Sequence, residues 1–173
     1  MLARPTAAKV SSPFGWRWGY SDWHGGIDFA APLGSPVHAV HSGVVLGVFP
    51  NGQLNKYGNT VVVKHDLPAD APYALYAHLQ SYSVKRGDRV SRGQVIARSG
   101  NTAGTHDDPS HTFAPHLHFE LLSAWPPQKP DQYRVNPTPY LNLSADEVGR
   151  GGAGLGSLLA LGGLWWWLRR RRR

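Results

Sequence analysis

Glycine and proline interrupt this chain so often that long helices have little room to form. The 173 residues include 20 Gly and 14 Pro, and both residue types break helices and mark turns. Short runs rich in Val, Leu and Tyr lie between them, and the clearest are residues 60–65 and 73–79. We therefore predict a single domain of many short strands. Within the second run, strand alternation predicts that Tyr76 and His78 share a face.

Five polar residues indicate a hydrolytic metal site. His116 and His118 are two apart, so a strand would direct both to one face. His24 and Asp28 flank two glycines that disfavour a helix, and an extended chain also places positions four apart on one side. Two His and one carboxylate suit Zn²⁺ and leave its fourth position open. His78 and His116 then remain for proton transfer or transition-state stabilisation.

The motifs around these residues are stronger evidence for a metal site than the spacings alone. A lone histidine is more often a surface or core residue than a ligand, and we interpret most of the nine that way, namely His38, His41, His65, His106 and His111. The others lie in an ordered series of longer motifs. These motifs are Ser12-Pro13-Phe14-Gly15-Trp16-Arg17, His24-Gly25-Gly26-Ile27-Asp28-Phe29, Ser42-Gly43-Val44-Val45, Gly58-Asn59, Tyr76-Ala77-His78-Leu79, Gly100-Asn101-Thr102 and Pro115-His116-Leu117-His118-Phe119-Glu120.

Over about residues 10–145, this series resembles the lysostaphin/LytM-type zinc peptidases of bacterial cell walls. The resemblance implies an all-β, compact antiparallel fold with a zinc site in a groove. Matched residue by residue, it implies that His24, Asp28 and His118 bind one Zn²⁺ per chain and that His78 and His116 form the catalytic pair. The implied activity is that of an endopeptidase hydrolysing peptide bonds in peptidoglycan stem peptides or cross-bridges.

Two alternatives share this fold. Some relatives have lost the zinc ligands, which leaves a non-hydrolytic wall-binding or amidase-activating module. Competent residues at all five positions favour activity here. A wall anchor with purely structural zinc is disfavoured, because structural sites usually have four protein ligands.

The connection at residues 103–114 is longer than is usual in this family. Its polar sequence includes His106, Asp107, Asp108 and His111. The loop is either a solvated surface segment, as its turn-forming residues favour, or a segment that shapes substrate access or binds a second ion.

The basic charge belongs to the C-terminus. The net charge is +7, and removing the five arginines at 169–173 leaves 7 − 5 = +2 for the rest. Since no basic helix or aromatic-basic pattern occurs elsewhere, we do not expect nucleic-acid binding.

The C-terminal sequence predicts a membrane segment. Residues 151–168 are uncharged, and a helix of this length would measure about 27 Å, close to the thickness of a bilayer core. Trp165, Trp166 and Trp167 suit the membrane interface, and the arginines after them suit its cytoplasmic side. The Gly-Gly, apolar segment and basic end together resemble GlyGly-CTERM sorting signals, which implies cleavage by an intramembrane sorting protease. A plain membrane anchor is the alternative.

These features predict five segments and an envelope location. The segments are an N-terminal extension at 1–9, the peptidase domain at 10–145, a linker at 146–150, a hydrophobic membrane helix at 151–168 and a basic tail at 169–173. The domain is expected to face the periplasm or the cell surface. Because residues 1–9 contain no export-signal pattern, we expect that signal to lie upstream or to have been removed. Insertion by the tail alone would instead leave the domain in the cytosol.

Overall fold

The computed structural model describes residues 1–17, 21–54, 56–66, 68–102, 114–126 and 132–148. The predicted segments 151–168 and 169–173, and the loop 103–114 apart from Ala114, lie outside the described residues. Within the described ranges no helix is long and apolar enough to cross a membrane.

Strands dominate the part of the chain that is described. They are β1 (Val10–Ser12), β2 (Gly15–Arg17), β3 (Asp22–His24), β4 (Ile27–Phe29), β5 (Pro36–His38), β6 (Gly43–Phe49), β7 (Thr60–His65), β8 (Tyr73–Ala77), β9 (Leu79–Tyr82), β10 (Arg89–Val90), β11 (Val95–Ser99), β12 (Leu117–Leu122) and β13 (Arg134–Val135). Two short helices follow, α1 (Thr138–Leu141) and α2 (Ala145–Val148).

Eight of the strands form one sheet in the order β1-β4-β12-β8-β7-β6-β10, and β13 also pairs with β12. Strands β5, β11 and β9 form a second sheet, and β2 and β3 form a two-stranded ribbon. Every pairing among the described strands is antiparallel. The predicted all-β antiparallel fold is therefore confirmed, and the predicted strand at 60–65 is β7.

Strand β12 lies inside the large sheet and separates the core from the candidate site. All six of its residues are buried. Leu117, Phe119 and Leu121 belong to the main hydrophobic core, whereas His118 and Glu120 alternate with them and face the other side. Burying a histidine and a carboxylate is unfavourable unless both have partners, so this face of β12 needs a polar environment.

The predicted second strand is interrupted at His78, which lies between β8 and β9. His78 has a φ of 58°, in the left-handed region where strand alternation is lost. Tyr76 is fully buried and packs its ring 5.3 Å from that of Phe119 in the core. The His78 ring instead lies 5.9 Å from that of His118. The prediction that Tyr76 and His78 share a face is wrong, because the left-handed residue redirects the His78 side chain.

Residues before β1 and after β13 pack onto the same domain. Leu2 is buried in the main core, and the Ala3 N–H donates to the Val40 carbonyl at 2.8 Å. The Arg4 guanidinium pairs with the Glu147 carboxylate in α2. The packed structure therefore includes parts of both segments that we predicted as an N-terminal extension and a linker.

Candidate active site

Three strands bring His24, Asp28 and His118 together. Asp28 in β4 and His118 in β12 are direct cross-strand partners, so their side chains share a face at contact distance. His24 ends β3, and the two glycines after it lead the chain into β4. Among the described residues, these three form a group whose ligand atoms could hold one metal ion.

The three ligand atoms form a small triangle. His118 Nδ1 lies 2.7 Å from Asp28 Oδ1, His24 Nε2 lies 3.1 Å from the same oxygen, and the two nitrogens are 3.1 Å apart. Zn²⁺ with bonds of about 2.0–2.1 Å separates its tetrahedral ligands by about 3.3 Å. A small outward movement of each side chain would therefore accommodate the ion, and the donor types also suit zinc.

Both imidazoles have a hydrogen-bond partner at the ring nitrogen that does not face Asp28. His24 Nδ1 lies 2.8 Å from the Pro13 carbonyl. Since a carbonyl can only accept, Nδ1 carries the proton and Nε2 keeps its lone pair for a metal. His118 Nε2 donates to Glu120 Oε1 at 3.0 Å, which leaves Nδ1 directed at Asp28. Such outer hydrogen bonds are typical of metal-binding histidines.

The charges of this cluster support one another. Burial alone would raise the pKa of Asp28, but the adjacent His118 and His24 rings lower it well below its usual range. Burial would likewise lower the pKa of His118, but the hydrogen bonds to Asp28 and Glu120 raise it to about 9. Without a metal, the cluster therefore holds a proton on His118 beside the ionised Asp28, where a bound cation would take the place of that proton.

His78 and His116 lie beside this cluster. Their ring centroids are 4.6 Å apart. His116 directly precedes β12, where its N–H donates to the Gly100 carbonyl at 3.0 Å. The structure thus brings all five predicted site residues together on one side of β12.

Backbone carbonyls also fix the tautomers of this second pair. His78 Nδ1 lies 2.7 Å from the Thr102 carbonyl and His116 Nδ1 lies 2.8 Å from the Ala114 carbonyl. Both Nδ1 atoms therefore donate, and the neutral rings keep their acceptor lone pairs at Nε2. Burial, reinforced by the nearby charge of His118, lowers the pKa of His78 to about 3, so this ring is neutral at pH 7.

Residues from two of the sequence motifs hold His78 in position through packing and hydrogen bonds. A Cβ at Gly58 would lie 2.3 Å from the Thr102 carbonyl oxygen, so glycine there permits the approach of the group that binds His78. Asn59 donates its N–H to Thr102 Oγ1 and its side-chain amide to the Leu79 carbonyl, both at 3.0 Å. These contacts support the left-handed backbone at His78 from both sides.

Three residues form a hydrogen-bond network at His118 Nε2, and the sequence analysis did not assign any of them to the site. Tyr57 donates its hydroxyl to Glu120 Oε1 at 2.8 Å, and Arg134 Nε donates to the same oxygen at 3.1 Å. Glu120 was identifiable from alternation, since it follows His118 by two positions on β12. Arg134 lies in β13, far along the chain, and no motif indicated it.

The remaining described histidines lie elsewhere. His38 is half-buried in β5, and His41 and His65 contact each other edge to face at 6.3 Å. None of them belongs to the metal-ligand group found among the described residues. His106 and His111 lie outside the described residues.

The comparison with protein families agrees with this geometry. Residues 22–137 match peptidase family M23. The chain belongs to this family. It is 37% identical over 137 residues to the DD-carboxypeptidase/endopeptidase Mpg of Neisseria meningitidis serogroup B. The aligned region covers 77% of this chain and 28% of Mpg. It is also 39% identical over 99 residues to the peptidoglycan DD-endopeptidase ShyA of Vibrio cholerae, and this aligned region covers 57% of this chain and 20% of ShyA. The chain thus spans less than a third of either relative.

Solved structures share the fold of this M23 domain. The catalytic domain of the antimicrobial peptidase lysostaphin from Staphylococcus simulans superposes with a TM-score of 0.63 at 28% identity, covering 79% of this chain and 93% of that domain. A zinc-containing peptidase from Vibrio cholerae superposes with a TM-score of 0.51 at 32% identity, covering 66% of this chain and 33% of that protein.

Proposed function

We propose that this M23 domain is a zinc-dependent endopeptidase that hydrolyses peptide bonds in peptidoglycan stem peptides or cross-bridges. The main support is the triangle of His24, Asp28 and His118 ligand atoms, 2.7–3.1 Å apart, with a second histidine pair beside it. The name of ShyA gives peptidoglycan as its substrate, and the name of Mpg gives the same DD-endopeptidase class of activity.

Under this proposal, His24 Nε2, Asp28 Oδ1 and His118 Nδ1 hold one ion per chain. When bound, Zn²⁺ supplies a Lewis acid that polarises the scissile carbonyl and makes water more acidic. Asp28 is suited to the ligand role because its lowered pKa keeps it ionised. The carbonyl of Pro13 holds the His24 imidazole in the required tautomer.

His78 and His116 are assigned to proton transfer. Because both Nδ1 atoms donate to carbonyls, each neutral ring offers Nε2 as an acceptor for the proton of the attacking water. A ring that has accepted this proton can hydrogen-bond the developing oxyanion or protonate the leaving amine.

The first candidate bond is the D-alanyl–diaminopimelate cross-link of Gram-negative peptidoglycan. The DD-endopeptidase names of ShyA and Mpg favour it, and so does the resemblance of the C-terminal sequence to a sorting signal.

A digest of purified muropeptides by the zinc-loaded full-length protein tests this function. Mass spectrometry should detect conversion of cross-linked dimers into monomers, with the mass of one water added. His38→Ala, outside the site, should cut as the wild type does. A zinc-loaded protein that binds sacculi but cuts no muropeptide would identify a wall-binding module instead.

We also propose an envelope location. The domain would face the periplasm or the cell surface, where peptidoglycan is accessible. Residues 151–168 would engage the membrane, either as a permanent anchor or as part of a signal that a sorting protease cleaves.

A further inference from the structure

Glu120 is the most deeply buried charged group at the site, and the proposed reaction does not use it. It is 2% exposed and lies two residues after His118 on the same face of β12. Its Oε1 atom accepts the Nε2 proton of His118 at 3.0 Å. The contact is therefore made with the ring nitrogen that points away from Asp28.

Two further side chains hold this carboxylate in place. Tyr57 donates its hydroxyl at 2.8 Å, and Arg134 donates Nε at 3.1 Å, both to Glu120 Oε1. Arg134 also donates to the Tyr57 hydroxyl. The guanidinium compensates the buried carboxylate charge, which would otherwise be strongly unfavourable.

The two glycines after His24 make room for this network. A Cβ at Gly25 would lie 2.1 Å from Arg134 Cδ, and one at Gly26 would lie 2.9 Å from Glu120 Cγ. Any side chain at either position would thus displace the network, because buried side chains cannot shift that far without losing their hydrogen bonds. The glycine pair has a packing role in addition to its part in the turn between β3 and β4.

We propose that Glu120, held by Arg134 and Tyr57, is a positioning residue that fixes the His118 ring so that Nδ1 faces the metal. Without an acceptor at Nε2, the ring could flip or tilt and present the wrong atom to Asp28 and His24. This inference rests on the proposed function, because it gives the network a role only if His118 is a zinc ligand.

The test compares zinc affinity in three full-length variants. Glu120→Leu removes the acceptor and should weaken zinc binding by roughly 10- to 100-fold, as loss of an outer-shell partner does in other sites. Glu120→Gln keeps an oxygen acceptor and should recover part of that loss. Leu122→Val, on the same face of the same strand but outside the network, should bind zinc as the wild type does.

A second readout separates positioning from general destabilisation. In the zinc-loaded wild type, NMR should detect a slowly exchanging His118 Nε2 proton, and Glu120→Leu should lose this protection. If Glu120→Leu does not fold, Tyr57→Phe takes its place, because it removes one donor to Glu120 and leaves β12 unchanged. It should weaken zinc binding in the same direction and speed exchange of that proton.

The inference is overturned if Glu120→Leu, or Tyr57→Phe in its place, binds zinc with unchanged affinity and keeps the protected proton. It is also overturned if Leu122→Val weakens zinc binding equally, since the effect would then come from the strand as a whole. A wild-type protein that binds no zinc would be a different failure, namely that of the proposed metallopeptidase function.

Discussion

Asp28 Oδ1 contacts both His24 Nε2 and His118 Nδ1. The position of each of these three side chains therefore depends on the other two. Strand alternation predicts from the sequence only that His116 and His118 share a face; the full ligand set and the adjacent histidine pair are implied by the resemblance to the zinc peptidases. The sequence does not predict Arg134, since nothing local places β13 beside β12. The tautomers are likewise not readable from sequence, because the carbonyls of Pro13 and Thr102 become neighbours only through folding.

If His24, Asp28 and His118 are the zinc ligands, removing one of them should release the metal. His118→Ala should reduce zinc content from one per chain to well below that value, because two protein ligands bind zinc poorly. Metal analysis after dialysis measures this, with His38→Ala as the control histidine. Stoichiometric zinc in His118→Ala would rule out His118 as a ligand.

The second histidine pair should behave differently. His78→Ala and His116→Ala should retain one zinc per chain and lose hydrolysis by roughly 100-fold or more, because proton transfer is removed while the ligands stay. Zinc analysis and muropeptide digestion of the same preparations give both values. Loss of zinc from either variant would mean that the replaced histidine is a zinc ligand and not a proton-transfer residue. Full activity in both variants would mean that neither histidine is catalytic.

At the scale of elements, the pattern predicts β7 correctly but extends the next strand too far. The apolar run at 73–79 contains nothing that marks the left-handed backbone at His78. That conformation is held by the hydrogen bonds from His78 to Thr102 and from Asn59 to Leu79, and both Thr102 and Asn59 lie outside the run. Strand existence follows local composition, whereas a strand break at a functional residue depends on tertiary contacts.

The close approach of the β3–β4 turn to β12 gives an element-scale prediction. A Cβ at Gly26 would lie 2.4 Å from the Phe119 carbonyl oxygen and 3.0 Å from His118 Cε1. Gly26→Ala should therefore destabilise the fold by about 1–3 kcal/mol and also weaken zinc binding. Gly87→Ala is the control for destabilisation without a clash, since its φ of 91° strains an alanine while no atom beyond its chain neighbours lies within 4 Å of the added Cβ. Equal zinc affinity in the two variants, measured by chelator competition, would contradict the predicted contact.

At the scale of the whole molecule, a buried histidine links stability to pH. His65 is 3% exposed, and burial lowers its pKa from 6.5 to about 4. Between these values the unfolded chain binds a proton that the folded chain does not, so the free energy of unfolding must fall as the pH drops from about 6.5 to about 4. The full effect is at most about 3 kcal/mol.

Urea unfolding at pH 7.5 and pH 5 measures this dependence. The loss of stability on acidification should be smaller in His65→Gln than in the wild type, whatever the absolute stability of the variant. Titrating groups remote from His65 contribute equally to both proteins and cancel in the comparison, so the difference reports His65 and the two groups coupled to it, His41 and Asp66. An identical pH dependence in the two proteins would show that His65 titrates normally.

The C-terminal sequence indicates how the protein is processed in its own cell. Residues 151–168 carry no charge, Gly162 and Gly163 interrupt their apolar run, and five arginines follow. A helix of about 27 Å barely spans a bilayer core, and each internal glycine weakens it by about 1 kcal/mol relative to alanine. Such a segment is a poor permanent anchor, but it would unwind readily in the active site of an intramembrane protease.

We therefore expect the mature protein, exported in its host, to lack residues 169–173 and to end near residues 151–156. Replacing Gly151 and Gly152 with leucine should trap the uncleaved form in the membrane, because leucine favours a helix and makes it harder to unwind. Intact-mass measurement of the native protein distinguishes the two fates of the tail. A C-terminus that retains all five arginines would favour a simple membrane anchor, and the M23 domain would then act only on the peptidoglycan within reach of the bilayer.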